Sequence, residues 1–194
     1  MAPDEPSMVG SHTAGTETYL PLIDTAVASL LDRHCQGVQP ASFNQPQQPP
    51  TPMRICFVGV ENKSAEEIGD FKDQIYQQID TRIVQSQVYS PVSRRFVEAG
   101  LRETRLRPDE LFVPQNMQHF TDAMWRQGQP FDYLLYATIT SGTTQSNRDY
   151  QRDYLLTLEM VDVRNGQYDK ESATLRKGYN RSVMAKVRNF NPFQ

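Results

Sequence analysis

Residues 54–64 read Arg-Ile-Cys-Phe-Val-Gly-Val-Glu-Asn-Lys-Ser, and this stretch decides the fold that the sequence predicts. Its first seven residues are almost all apolar and typical of β-strands. Strict alternation divides them between two faces, with Ile55, Phe57 and Gly59 opposite Cys56, Val58 and Val60. A strand that is apolar on both faces belongs inside a sheet that is covered on both sides. We therefore expect this strand away from the sheet edges.

A helix is predicted directly after this strand. Ser64 stands where a helix N-cap would, and Glu67 completes a capping box three residues later. Apolar residues then recur at helical spacing, at Ile68, Phe71, Ile75 and Ile79. Residues 82–89 are predicted to form a second, more exposed strand. Because a helix connects the two strands, we expect the second to run parallel to the first. Two further helices are predicted, one opened by Ser93 and the other by Pro114 or Gln115.

The last part of the chain predicts three more strands. Residues 131–140 are again apolar on both faces, so we expect this strand beside the first at the sheet centre. Residues 153–163 form a fourth strand, and the turn signal Arg164-Asn165-Gly166-Gln167 leads to a fifth, polar strand at the sheet edge. Residues 141–152 are predicted to be a long, exposed hairpin tip. The expected fold is one α/β (α+β) sandwich with a mixed sheet of four or five strands flanked by helices.

An N-terminal arm precedes this sheet domain. Its helix carries an apolar stripe, and a helix of this length is marginal alone, so we expect it to dock on the domain through Leu20, Ile23, Val27 and Leu30. The uncharged, proline-rich segment that follows is expected to be extended. We expect a disordered leader 1–18, a docking helix 19–36, a proline-rich spacer 37–53, a globular domain 54–179 and a basic C-terminal tail 180–194.

The composition argues against two classes of partner. The net charge is −3, from 20 basic and 23 acidic residues, so no overall positive field favours nucleic acid. No stretch approaches the ~18 to 20 apolar residues that a membrane-spanning helix needs. The first residues also lack the basic and apolar regions of a signal peptide. We expect neither a nucleic-acid partner nor a spanning segment.

Motifs of catalysis are missing from the sequence. It contains no glycine-rich nucleotide loop, no metalloprotease helix motif and no nucleophile elbow. Its cysteines, Cys35 and Cys56, form no CxxC pair, and its three histidines show no metal-ligand spacing. We therefore expect no catalytic residue, no cofactor and no metal. The alternative is a small envelope hydrolase that uses Glu61 or His119 as its base.

Two groups of residues are candidates for binding a protein partner. Glu61, Asn62 and Lys63 follow the first strand at its carboxyl end, where open α/β sheets usually bind ligands. An ordinary loop whose Asn and Lys face water is the competing interpretation. The second group lies on the predicted hairpin tip, which is either a recognition loop or merely solvated. Its members are Asn147, Arg148 and Tyr150.

Four segments in this order resemble the LpoB family. They are the helix beginning Tyr19-Leu-Pro-Leu-Ile-Asp-Thr-Ala-Val, the strand Ile55-Cys-Phe-Val-Gly-Val-Glu-Asn-Lys-Ser, the strand Phe131-Asp-Tyr-Leu-Leu-Tyr-Ala-Thr-Ile, and the hairpin Leu155-Thr-Leu-Glu-Met-Val-Asp-Val-Arg-Asn-Gly. The proline-rich spacer between the first two adds to the resemblance. Two features depart from the family pattern: no lipobox cysteine precedes the leader, and Gln167-Tyr-Asp-Lys-Glu lacks the usual tryptophan.

The resemblance implies a non-catalytic regulator of peptidoglycan synthesis. Members of the family are outer-membrane lipoproteins that activate class A penicillin-binding proteins, and their globular domain is similar to the N-terminal domain of TolB. This implies a protein partner, a periplasmic location and membrane attachment only through a lipid anchor, which this chain does not show. We expect a monomer. An oligomerising secretion or assembly subunit is the remaining alternative.

Overall fold

The computed structural model of the protein describes residues 16–35, 52–69, 71–146 and 149–180. Four α-helices, a short 3-10 turn and five strands make up these residues. In chain order they are α1 (Thr16–Cys35), β1 (Met53–Asn62), α2 (Phe71–Ser86), β2 (Tyr89–Pro91), α3 (Arg94–Thr104), the 3-10 turn (Pro108–Phe112), α4 (Pro114–Arg126), β3 (Tyr133–Ser146), β4 (Asp149–Asp162) and β5 (Tyr168–Asn180). None of the helices in the described ranges is both long and apolar enough to cross a membrane.

The five strands form one mixed sheet in the order β2-β1-β3-β4-β5. β1 runs parallel to β2 and β3, and β4 pairs antiparallel with β3 and β5. The predicted α+β architecture is confirmed, with β1 inside the sheet, β3 beside it and the polar β5 at an edge. The β4–β5 connection is a longer turn than predicted, in which Gly166 adopts φ +73° and its N–H donates to the Asp162 carbonyl over 2.8 Å.

Each face of the sheet buries its own apolar core. On one face α1 and α2 cover side chains from β1, β3 and β4, including Phe57, Leu135, Ile139, Leu156 and Leu158. On the other face α3, the 3-10 turn and α4 cover Cys56, Val58, Leu134 and Tyr136. A strand between two such layers must be apolar on both faces, which explains the composition of β1 and β3.

The arm helix α1 packs on the domain of its own chain. Seven of its side chains are buried in the core that it shares with the sheet, Tyr19, Leu22, Ile23, Ala26, Val27, Leu30 and Leu31, whereas Leu20 of the predicted stripe is only half-buried. The helix begins at Thr16, inside the predicted leader. At its other end Arg33 forms ion pairs with Asp169 (3.2 Å) and Glu171 (2.7 Å) of β5. The rest of the leader and most of the spacer lie outside the described residues.

The helix after β1 differs from its prediction at both ends. It begins at Phe71, because Ser64 does not cap it: the Ser64 hydroxyl donates to the Asn62 side chain over 2.6 Å within the preceding loop. A second strand parallel to β1 is present as predicted, but its predicted position at residues 82–89 is wrong, since it occupies Tyr89–Pro91. The helix continues to Ser86, because Ile83 extends the row of buried isoleucines begun by Ile75 at a spacing of four residues.

The predicted hairpin tip 141–152 is also wrong for most of its length. β3 and β4 continue to pair through this region, as far as Ser146 opposite Asp149. β5 extends alongside them to Asn180, beyond the predicted end near residue 175. Backbone pairing between strands continues through polar sequence here, so a polar composition did not imply a loop. The tail beyond residue 180 lies outside the described residues.

Candidate functional site

A bulge in β1 decides which face of the sheet carries Glu61. The pairing of β1 with β3 shifts register between Phe57 and Gly59. Val60 therefore packs in the core of Ile55 and Phe57, and the strict alternation that placed it with Cys56 and Val58 is wrong. One extra residue moves every following side chain to the opposite face. As a result Glu61 points to the α4 side of the sheet.

Glu61 lines an open groove of about 630 Å³. One wall is formed by the 3-10 turn and α4, and the floor by β1, β3, β4 and the start of β5. The groove exists because α3, the 3-10 turn and α4 cover β1 and the beginning of β3 but leave β4 and β5 open on this face. Its polar lining consists mainly of Glu61, Lys63, Asp109, Tyr136, Glu159 and Tyr168.

Two carboxylate–tyrosine pairs organise the floor of the groove. The Tyr136 hydroxyl donates to Glu61 Oε2 over 2.9 Å, and Lys63 Nζ lies 2.7 Å from the same oxygen. The Tyr168 hydroxyl donates to Glu159 Oε1 over 2.6 Å. Tyr136 and Glu159 face each other in the register of β3 and β4, so the two pairs lie side by side. The result is a row of alternating phenol and carboxylate groups across four strands.

The charge state of this row follows from its contacts. The hydrogen bond from Lys63 holds the pKa of Glu61 below its ordinary value. Burial, followed by the hydrogen bond to Glu61, raises the pKa of the Tyr136 phenol. Burial, with the hydrogen bond to Glu159, raises the pKa of Tyr168 to about 12. At neutral pH Glu61 is therefore ionised and the phenols are neutral, so the groove presents a charged hydrogen-bond acceptor.

Of the predicted binding residues whose side chains the structure describes, Glu61 and Lys63 line the groove. The Asn62 side chain organises the next loop instead, donating from Nδ2 to the Glu66 carbonyl over 2.6 Å and accepting from the Ser64 N–H over 3.0 Å. Asn147 and Arg148 lie outside the described residues. Tyr150 belongs to β4, where it pairs with strand β3 and strand β5, but its side chain is not described.

Four groove residues escaped the sequence reasoning: Asp109, Tyr136, Glu159 and Tyr168. A signal was present for two of them. Tyr136 and Glu159 place polar groups in strands that are otherwise apolar, and a polar group in a half-buried strand position marks either a hydrogen-bonded core pair or a site. Asp109 and Tyr168 reach the groove only through the packing of the 3-10 turn and the β4–β5 hairpin, so no local pattern indicates them.

Glu61 and His119, the two candidate bases of the hydrolase alternative, do not share a site. His119 lies exposed on α4 and does not line the groove. Glu61 itself is held by Lys63 and Tyr136. Within the described ranges no cluster of His, Cys, Asp and Glu side chains is arranged to hold a metal ion.

A second polar cluster joins the β1–α2 loop to the β3–β4 hairpin. The Glu66 carboxylate is largely buried and accepts hydrogen bonds from Arg152 Nη1 and from the Tyr154 hydroxyl, the latter over 2.7 Å. The Ala65 N–H donates to Ser141 Oγ over 3.1 Å in the same region. These contacts hold the loop that follows Lys63 against the sheet.

Comparison with known proteins identifies a family to which this chain is similar. A family model described as peptidoglycan-synthase activator LpoB matches residues 36–168, which is more than half of the chain. No curated protein matches the chain. Solved structures that are similar to it include two domains of LpoB and a lipoprotein.

The LpoB structures are both C-terminal domains. The domain from Salmonella enterica has a TM-score of 0.50 at 10% identity, and the match covers 84% of this chain and 98% of that one. The domain from Escherichia coli has a TM-score of 0.50 at 12% identity, covering 81% and 98%. Lipoprotein GNA1162 from Neisseria meningitidis is 20% identical with a TM-score of 0.48, covering 71% and 93%. At such identities the two LpoB domains show a shared fold.

Proposed function

The chain belongs to the LpoB family of peptidoglycan-synthase activators, and from this premise we propose that it binds a class A penicillin-binding protein and raises its synthetic activity. Membership makes the protein a regulator in the cell envelope, from a family that is not catalytic. The family match over residues 36–168 is the observation that carries the proposal. It spans the sheet core, the groove and most of the elements that form them.

The proposed binding surface comprises the groove and, as a separate contact, the end of the β3–β4 hairpin. Glu61 and Lys63 contribute from the groove, and Asn147, Arg148 and Tyr150 from the hairpin. Support comes from the lining of the groove, where tyrosines and charged groups are concentrated at an opening on the sheet face. Aromatic side chains with a polar end are enriched where proteins bind each other.

We also propose that the protein works as a monomer in the periplasm and is held at the outer membrane by a lipid anchor. Metabolic labelling of native cells with a palmitate analogue should then label the protein, and fractionation should recover it with the outer membrane. Gel filtration at two protein concentrations should give the same monomeric size. Recovery of an unlabelled protein in the cytoplasm would contradict the anchor.

The decisive test of function uses a class A penicillin-binding protein from the same organism. Glycan polymerisation from fluorescent lipid-linked precursor is measured with increasing amounts of the purified chain, and binding is measured in parallel by surface plasmon resonance. We expect saturable binding and a rate that rises to a plateau at the same concentrations. The same protein after heat denaturation is the control. A native chain that neither binds the synthase nor changes its rate would refute the proposal.

A further inference from the structure

The groove is lined by more carboxylates than cations. Its lining holds three carboxylates, from Glu61, Asp109 and Glu159, and the single ammonium of Lys63. Two further cations contact the carboxylates from outside the lining, Arg107 at Asp109 (3.0 Å) and Lys170 at Glu159 (3.3 Å). The three carboxylates act on Lys63 together, since each of them contributes to raising its pKa, Glu61 the most. A ligand that enters the groove therefore meets three carboxylate acceptors and one ammonium in the lining, which suits a cationic donor better than phosphate or another acid.

Each of these carboxylates has one oxygen left for a ligand. Tyr136 and Lys63 both contact Oε2 of Glu61. Tyr168 and Lys170 both contact Oε1 of Glu159. The Arg107 guanidinium donates to Oδ2 of Asp109. Among the described residues no donor reaches the second oxygen of any of the three. Internal contacts thus hold the carboxylates in position while leaving acceptors available at the groove.

Aromatic rings lie among these acceptors. Phe112, Tyr136 and Tyr168 line the same cavity, and the rings of Phe112 and Tyr136 are 5.8 Å apart. A cation near an aromatic face gains electrostatic energy, and guanidinium stacks on such faces better than ammonium does. Guanidinium also has five donors in a planar fork, which suits several carboxylate oxygens at once.

We propose that the groove receives an arginine side chain from the protein partner, with its guanidinium donating to the second oxygens of Glu61 and Glu159. The identity of the partner as a peptidoglycan synthase rests on the proposed function, but recognition of arginine by the groove does not. Lysine fits less well, because its ammonium is a compact, strongly hydrated charge that cannot donate in one plane to two carboxylates.

Recognition of arginine is tested first without the synthase. The full ¹⁵N-labelled chain is titrated with the peptide acetyl-Gly-Gly-Arg-Gly-Gly-amide at low ionic strength, and in parallel with the same peptide carrying citrulline, which keeps the shape and removes the charge. We expect shifts concentrated at groove residues such as Lys63 and Tyr136 with the arginine peptide, and at least tenfold weaker effects with citrulline. Equal effects, effects elsewhere or none at the groove overturn the inference.

Matched variants then test whether the groove carboxylates contribute to binding of the synthase. Glu159→Gln and Glu61→Gln each remove one proposed acceptor charge, and Glu98→Gln removes an exposed carboxylate of α3 that lies outside the groove. We expect each groove variant to weaken binding of the synthase by about tenfold and the control to leave it unchanged. Thermal melts of all three confirm that they are folded, and two different groove variants guard against a local folding defect.

The outcomes separate the two proposals. If the wild-type chain binds the arginine peptide but no synthase, the proposed function fails and the groove inference stands. If the wild-type chain binds the synthase, and both groove variants bind it as tightly while folded, arginine recognition is wrong and the proposed function stands.

Discussion

Replacing Leu22 by alanine tests whether the arm helix α1 is part of the folded core. The Leu22 side chain is 2% exposed and packs in the core that α1 and α2 form with one face of the sheet. Leu20 belongs to the same helix but is only half-buried. The same substitution at the two positions therefore changes burial while it keeps the chemistry and the helix constant.

The expected loss follows from burial. Truncating a fully buried leucine costs about 2–5 kcal/mol, because apolar contacts are lost and a cavity remains. For a chain of this size, about 2–4 °C of melting temperature correspond to each kcal/mol, so Leu22→Ala should lower it by roughly 4–20 °C. Leu20→Ala should cost about 1 kcal/mol or less, since most of the buried surface is retained and alanine favours the helix.

Urea and thermal unfolding followed by far-UV circular dichroism measure both variants. Removing residues 1–52 provides a second test of the same idea. This deletion should destabilise the domain at least as much as Leu22→Ala, because the whole helix is lost from the sheet. The reasoning fails if the deletion and Leu22→Ala both melt like the full chain. In that case α1 is not a structural strap, and a role on the partner or on a second copy is the better interpretation.

Two further outcomes concern buried carboxylates. Glu66→Gln weakens the contact with Arg152 and should cost about 1–3 kcal/mol in urea denaturation, whereas the exposed neighbour Glu67→Gln should be neutral. The hydrogen bond from Arg164 lowers the folded-state pKa of Asp162, so its stabilisation is present above the unfolded value of 3.8 and is lost as pH falls through the lower, folded pKa. The stability difference between wild type and Asp162→Asn should therefore shrink below about pH 4. A difference that stays constant to pH 2 would contradict this reasoning.

The groove was only partly visible in the sequence. Its position was predictable, because the carboxyl end of a central parallel strand is where Glu61 and Lys63 were expected to bind a ligand. Its composition was not, since Asp109, Glu159 and Tyr168 come from elements distant in sequence that packing brings together. Asn62 differs from its two neighbours, because its side chain forms hydrogen bonds within the next loop instead of lining the groove.

The sequence by itself determined those parts of the fold that depend on local pattern. Apolar character on both faces placed β1 and β3 inside the sheet, helical spacing of apolar residues identified α3 and α4, and Asn165-Gly166 marked the last turn. These features depend on residues close in the chain, whose side chains must match the period of the element they form and the layer they pack against.

Only the tertiary structure decided the features that depend on register and on distant pairing. The bulge between Phe57 and Gly59 moves Glu61 into the groove, and it is defined by pairing with β3, about eighty residues away in sequence. The polar segment 141–152 becomes strand because β4 and β5 complete its backbone hydrogen bonds. The site follows from such pairing because one residue of register determines which face of the sheet a side chain occupies.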